Sequence, residues 1–207
     1  KSNMNIVIVD YGLGNLGSIL NMLKFLNIEA TISDNSSVIS NAKKLILPGV
    51  GSFDNGIKNL KTSGLYDVLM QQVLVQKIPT LGICLGMQLM TMNSEEGIEN
   101  GFGWIDAETK KFDFTPESGL KVPHIGWNRI KIKNSNIIID GMQDISKFYF
   151  VHSYYVSCNR PNDIVCRLLL EKKITSVFVK DNIYGCQFHP EKSHKYGMQL
   201  LKNFNSL

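Results

Sequence analysis

Apolar residues take two arrangements along the first half of this chain. Short unbroken runs of strand length alternate with segments whose apolar residues recur every three or four positions. Residues 5–10 (NIVIVD) form a run of buried-strand type, and Leu16, Ile19, Leu20 and Leu23 follow at helical spacing. Residues 29–33 predict a second strand and residues 44–47 a third, closed by Pro48-Gly49-Val50-Gly51-Ser52-Phe53. Helices are expected over about 53–60 and between 65 and 75. A fourth apolar run, residues 77–81, leads into Leu85, Met87, Leu89 and Met90, spaced for a helix over 85–92. This βαβα order predicts a parallel sheet covered on both faces.

After about Gly97 the helical period fades. Gly101-Phe102-Gly103-Trp104 marks a turn, and strands are expected over 130–133, 148–157, 164–170, 176–180 and 183–188, several paired as hairpins. A final helix is expected over 194–204. With no repeat, low-complexity tract or linker, one α/β domain over residues 4–207 is expected, and residues 1–3 are set aside as an expression leftover.

Composition narrows the classes. The chain has 207 residues, 43% hydrophobic and 19% charged, as an ordinary globule with a sizeable core does. The net charge of +4 is mild and the lysines are scattered, so no nucleic-acid partner is expected. No apolar run has membrane-spanning length, and no signal peptide is expected. Cys84, Cys158, Cys166 and Cys186 form no CxxC pair, so neither a zinc site nor a disulfide framework is indicated, and a reducing cytoplasm fits.

Candidate chemistry centres on Gly82-Ile83-Cys84-Leu85-Gly86-Met87-Gln88. A cysteine between two glycines at a strand-to-helix turn is the thiol version of a nucleophile elbow. Amides of the following helix favour the thiolate and can bind an oxyanion. The competing reading is an inert buried cysteine in a glycine-bounded turn. In Gln187-Phe188-His189-Pro190-Glu191, Glu191 can reach the far ring nitrogen of His189, which makes a base with its orienter. His152 is a second candidate base, but no carboxylate stands close to it in sequence, so a pocket-lining or structural role is expected. Gly49–Gly51 can turn a backbone N–H toward the same point. A rival is Gly12-Leu13-Gly14-Asn15-Leu16-Gly17, a literal GxGxxG between a strand and a helix, with Asp34 about twenty residues on. That pattern predicts a dinucleotide-binding module.

The Cys84 and His189 motifs together resemble those of the class I, triad-type glutamine amidotransferases, whose fold is flavodoxin-like. Within that class the chain is similar to the glutaminase subunits of imidazole glycerol phosphate synthase. The narrower likeness rests on residues 10–15, 48–53, Pro123-His124-Ile125-Gly126-Trp127-Asn128 and residues 189–193, and Ile125 stands where methionine is usual. The resemblance implies a mostly parallel mixed sheet flanked by helices, with an antiparallel portion in the C-terminal half. It implies glutamine hydrolysis by Cys84, His189 and Glu191 through a thioester, with the Val50 and Leu85 amides as oxyanion donors and no metal or organic cofactor. It places Gly51, Gln88, Glu96, Ser153 and Tyr154 around the glutamine amino-acid portion, with Glu95 as a competitor to Glu96. Asn15, Trp127, Tyr149 and Lys192 are implied to face a (β/α)8-barrel partner that receives ammonia in histidine biosynthesis. A barrel that aminates a sugar for surface polysaccharide is the alternative partner.

Overall fold

The computed structural model describes residues 6–207; Met4, Asn5 and residues 1–3 lie outside the described residues. The first half follows the predicted alternation: β1 (Ile6–Val9), α1 (Leu16–Phe25), β2 (Ala30–Ser33), α2 (Ser36–Ser40), β3 (Lys44–Leu47), α3 (Phe53–Thr62), α4 (Leu65–Met70), β4 (Thr80–Ile83) and α5 (Leu85–Leu89). The second half adds β5 (Ala107–Lys111), β6 (His124–Arg129), β7 (Lys131–Ile132), β8 (Lys147–His152), β9 (Tyr154–Cys158), β10 (Ile164–Leu169), β11 (Lys173–Lys180), β12 (Ile183–Cys186) and α6 (His194–Asn205).

The main sheet runs β2-β1-β3-β4-β12-β11-β10-β7, with β9 and β5 branching from β11. From β2 to β12 the pairs are parallel, and beyond β12 they are antiparallel. Strand β1 shows why the central strands are unbroken apolar runs. Ile6 and Ile8 join the core that includes Ile19 and Leu23 of α1 and Leu200 and Phe204 of α6. Val7 and Val9 point the other way, into the core with Phe53, Ile57 and Leu60 of α3. A strand with helices on both faces has no solvent side to mark with polar residues.

Several elements differ from expectation. Helix α2 has no apolar period to announce it; its start is made by Asn35, whose side chain accepts from the Ser37 and Val38 amides at 2.9 and 3.2 Å. Helix α5 stops at Leu89, short of Met92, because Phe102, Trp104 and Gly103 amides take the carbonyls of Leu89, Met90 and Thr91. The single strand expected over 148–157 is two strands that part at Ser153. Strand β8 pairs only with β6, in a separate two-stranded sheet, while β9 joins the main sheet. Neither β5 nor β6 is among the strands expected from the sequence. The helix expected over 65–75 is present, with residues 71–75 relaxing into a π-helical turn.

Candidate active site

Cys84 follows the last residue of β4 and takes φ 54°, ψ −110°, a left-handed conformation that costs a non-glycine residue about 1–3 kcal/mol. Neighbours hold it there. Its amide donates to the Cys186 carbonyl of the adjacent strand at 2.9 Å, and its carbonyl accepts from the Gln88 amide at 3.2 Å. The two glycines are required by close approach: a Cβ on Gly86 would lie 1.7 Å from the Leu47 carbonyl, and one on Gly82 2.8 Å from the α5 backbone. The thiol therefore stands at the carboxyl edge of the parallel sheet, 8% exposed.

Strand β12 lies beside β4 with Cys186 opposite Ile83, so the residues leaving β12 reach the same edge. His189 is anchored by its amide on the Tyr149 carbonyl at 3.0 Å, and its Nδ1 lies 2.7 Å from Glu191 Oε1. Both side chains are almost fully buried. Burial pulls the His189 pKa down, but hydrogen bonding and charge from Cys84 and Glu191 outweigh it and raise it to about 9. With Nδ1 committed to Glu191, Nε2 is the nitrogen left for Cys84. Around the sulfur, the Val151 carbonyl lies at 3.8 Å, and Gln187 Nε2 donates to it at 3.6 Å.

His152 behaves differently. Its Nδ1 donates to the Tyr154 carbonyl at 2.8 Å, and its ring packs edge-on to Phe112 and His124. Burial, with smaller contributions from the His124 and His189 charges, lowers its pKa to about 3, against the Tyr154 hydrogen bond. It is a neutral wall of the site.

The two expected oxyanion donors are not both free. The Leu85 amide donates to the Gly49 carbonyl at 3.3 Å. Because that peptide is trans and planar, the Val50 N–H points to the opposite side. The Tyr11 hydroxyl donates to the Pro48 carbonyl one residue earlier.

Among the residues expected around glutamine, buried Gln88 donates through Nε2 to the Tyr154 carbonyl at 3.2 Å and to Gln187 Oε1 at 3.1 Å. Ser153 and Tyr154 are half-buried at the break between β8 and β9. Glu96 is half-buried and accepts from the Phe53 amide at the start of α3, next to exposed Gly51, whereas Glu95 is exposed. Burial first, and then the Glu96 and Glu95 charges, raise the Tyr154 pKa.

Asn15 and Lys192 line a cavity of about 20 Å³ together with Val50, His189 and Glu191, so two residues expected at a partner surface adjoin the His–Glu pair. Trp127, 46% exposed, stacks on His194 at 5.3 Å and meets Tyr149 edge-on at 5.8 Å; Lys192 Nζ lies over the Tyr149 ring. The dinucleotide expectation for Gly12–Gly17 is not favoured. A Cβ on Gly17 would meet nothing within 4 Å, although a fingerprint needs that glycine for close helix–strand packing, and a Cβ on Gly14 would meet the Gly49 backbone at 3.2 Å. The contacts of Gln187 with Cys84 and of Tyr11 with the Pro48 carbonyl involve residues that the sequence reading did not single out. The signal for Gln187 was its place two residues before His189, directly after the end of β12.

A left-handed cysteine after a parallel strand, with a buried His–Glu pair delivered by the next strand, is the arrangement of a thiol amidohydrolase. The family described as Glutamine amidotransferase class-I matches residues 7–206, and the chain belongs to that family. Within it the chain is similar to proteins named imidazole glycerol phosphate synthase subunit HisH. The HisH 2 of Methanococcus maripaludis is 52% identical over 96% of this chain and 98% of that protein. The HisH 2 of Pseudomonas aeruginosa is 48% identical over 98% and 99%, and the HisH of Leptospira interrogans 44% identical over 97% and 98%. Among solved structures, a putative GMP synthase protein from Thermoplasma acidophilum shares the fold with a TM-score of 0.74 at 21% identity, covering 100% of this chain and 94% of that one.

Proposed function

We propose that the chain is the glutaminase subunit of an imidazole glycerol phosphate synthase: it hydrolyses L-glutamine to glutamate and ammonia and delivers the ammonia to a synthase partner in histidine biosynthesis. The observation that carries the chemistry is the His189–Glu191 pair at 2.7 Å, buried beside the strained Cys84. His189 Nε2 takes the thiol proton, and Cys84 Sγ attacks the side-chain amide carbon while the carbonyl electrons move to oxygen. The Leu85 amide, and the Val50 amide once its peptide has rotated, hold that oxyanion. Collapse of the adduct breaks the C–N bond, and the proton on His189 leaves with ammonia. Water, deprotonated by His189, then cleaves the thioester and releases glutamate with the thiol restored. Gln88, Glu96, Gly51, Ser153 and Tyr154 surround the amino-acid portion.

The names of the relatives support the histidine pathway, and the polysaccharide alternative has no such support. We assign the partner a (β/α)8-barrel form and the Asn15–Trp127–Tyr149–Lys192 face to its docking, in a cytoplasmic complex. The test is Cys84→Ala in the assembled enzyme. Turnover with glutamine should vanish while turnover with added ammonium salt persists, because the thiol serves only amide cleavage. Glutamine-dependent turnover at the wild-type rate would remove the proposal.

A further inference from the structure

We infer that Gln187 is a standing hydrogen-bond donor to the Cys84 sulfur, holding it in place and stabilising it as the thiolate. The inference rests on Cys84 being the nucleophile, and deepens that reading by adding a fourth group at the sulfur. Gln187 is fully buried, and it leaves β12 beside Cys84, because Cys186 and Ile83 are register partners in the parallel pair. Its amide Nε2 lies 3.6 Å from Sγ, an ordinary length for a donor to sulfur.

The direction of this bond is set by a relay that begins at the backbone. The Tyr154 carbonyl can only accept, so the Gln88 side-chain atom 3.2 Å from it is the NH2 group. That NH2 group also lies 3.1 Å from Gln187, and being a donor it must face the Gln187 oxygen. The Gln187 NH2 group is therefore the end turned to the sulfur. One backbone carbonyl fixes the polarity of two side-chain amides and aims a donor at the nucleophile. The main chain of Gln187 is held as well, by its amide on the Ser176 carbonyl at 2.9 Å.

The consequence follows from charge. When His189 removes the thiol proton, the sulfur becomes an anion in a site nearly closed to water. A donor already aimed at it requires no reorganisation, and a hydrogen bond to a charged acceptor is the stronger kind. Gln187 takes and gives no proton in any step. The Val151 carbonyl, 3.8 Å from the sulfur, is the other polar group the main chain places there.

The test reads the sulfur directly. Full-length chain is alkylated with iodoacetamide across a range of pH, and modification of the Cys84 peptide is followed by mass spectrometry. Gln187→Met fills a similar volume without a donor. Gln187→Glu keeps an acceptor for Gln88 and replaces the donor. Both should alkylate Cys84 about tenfold more slowly at neutral pH, with the rate–pH curve displaced upward. A packing role alone would not move that curve. Either variant, folded by circular dichroism, that follows the wild-type curve overturns the inference. The two readings fail separately: glutamine turnover by Cys84→Ala would sink the glutaminase, whereas an unmoved alkylation curve would sink only the role of Gln187.

Discussion

The Leu85 amide donates to the Gly49 carbonyl at 3.3 Å, so the first of the two proposed oxyanion donors is satisfied by the very peptide whose other end carries the second. One rotation of the Gly49–Val50 peptide would remove the carbonyl and present the Val50 N–H. Gly49 lowers the barrier, since a residue without Cβ adopts either orientation. The chain alone should therefore be a poor glutaminase. One missing oxyanion donor costs about a hundred- to a thousandfold in rate, and two aggravate the loss. Hydrolysis is to be measured for the chain alone, with its partner, and with partner plus an acceptor analogue. Full activity of the isolated chain would exclude this gating.

Lys192 lines one cavity with His189 and Glu191, and its Nζ lies over the Tyr149 ring that Trp127 meets edge-on, which is the route by which we propose partner contact is transmitted. Trp127→Ala should weaken partner binding and partner-stimulated hydrolysis together, with unstimulated hydrolysis by the free chain nearly unchanged. Titration calorimetry and ammonia release report the two quantities. A normal response to partner would move the docking face elsewhere.

The His189–Glu191 pair predicts a ranking of variants. Glu191→Gln should slow acylation by roughly a thousandfold, since an amide orients the ring but does not stabilise imidazolium as a carboxylate does. His152→Ala should cost far less than His189→Ala, because His152 is committed to the Tyr154 carbonyl and held neutral. Single-turnover ammonia release ranks them, and the reverse order would transfer the base role to His152.

A pH effect on stability follows from the same pair. The His189 pKa rises from 6.5 to about 9 on folding, so the folded chain holds this proton more tightly than the unfolded one. The stabilisation is complete below about pH 6.5 and is lost as the pH rises through about 9. Urea unfolding across that window should show the decline in wild type and a flatter profile in His189→Ala.

Two glycines give opposite predictions. Gly86→Ala puts a methyl 1.7 Å from a backbone oxygen and should destabilise by about 3 kcal/mol or more. Gly17, inside α1, has nothing within 4 Å of an added Cβ. Gly17→Ala should be neutral or stabilising by about 0.5–1 kcal/mol, whereas a dinucleotide fingerprint would need that glycine for helix–strand packing. Denaturant midpoints check both.

From its sequence this protein already declares the parallel half of its sheet, the elbow at Cys84 and the pairing of His189 with Glu191. Those features are local: runs such as Ile6–Val9 are apolar on every position because both faces are covered, and Glu191 stands only two residues from the ring it orients. Three decisions were left to the tertiary structure. The break at Ser153 arises because β8 and β9 find different partner strands, which no property of residues 148–157 specifies. The Glu96 side chain, rather than Glu95, turns inward because the Phe53 amide at the start of α3 needs an acceptor. Gln187 reaches Cys84, and Gly49 blocks Leu85, across contacts set by strand register and loop packing between segments far apart in the chain. Spacing along a chain reveals which side chains share a face; which distant donor meets which acceptor is decided only when the faces meet.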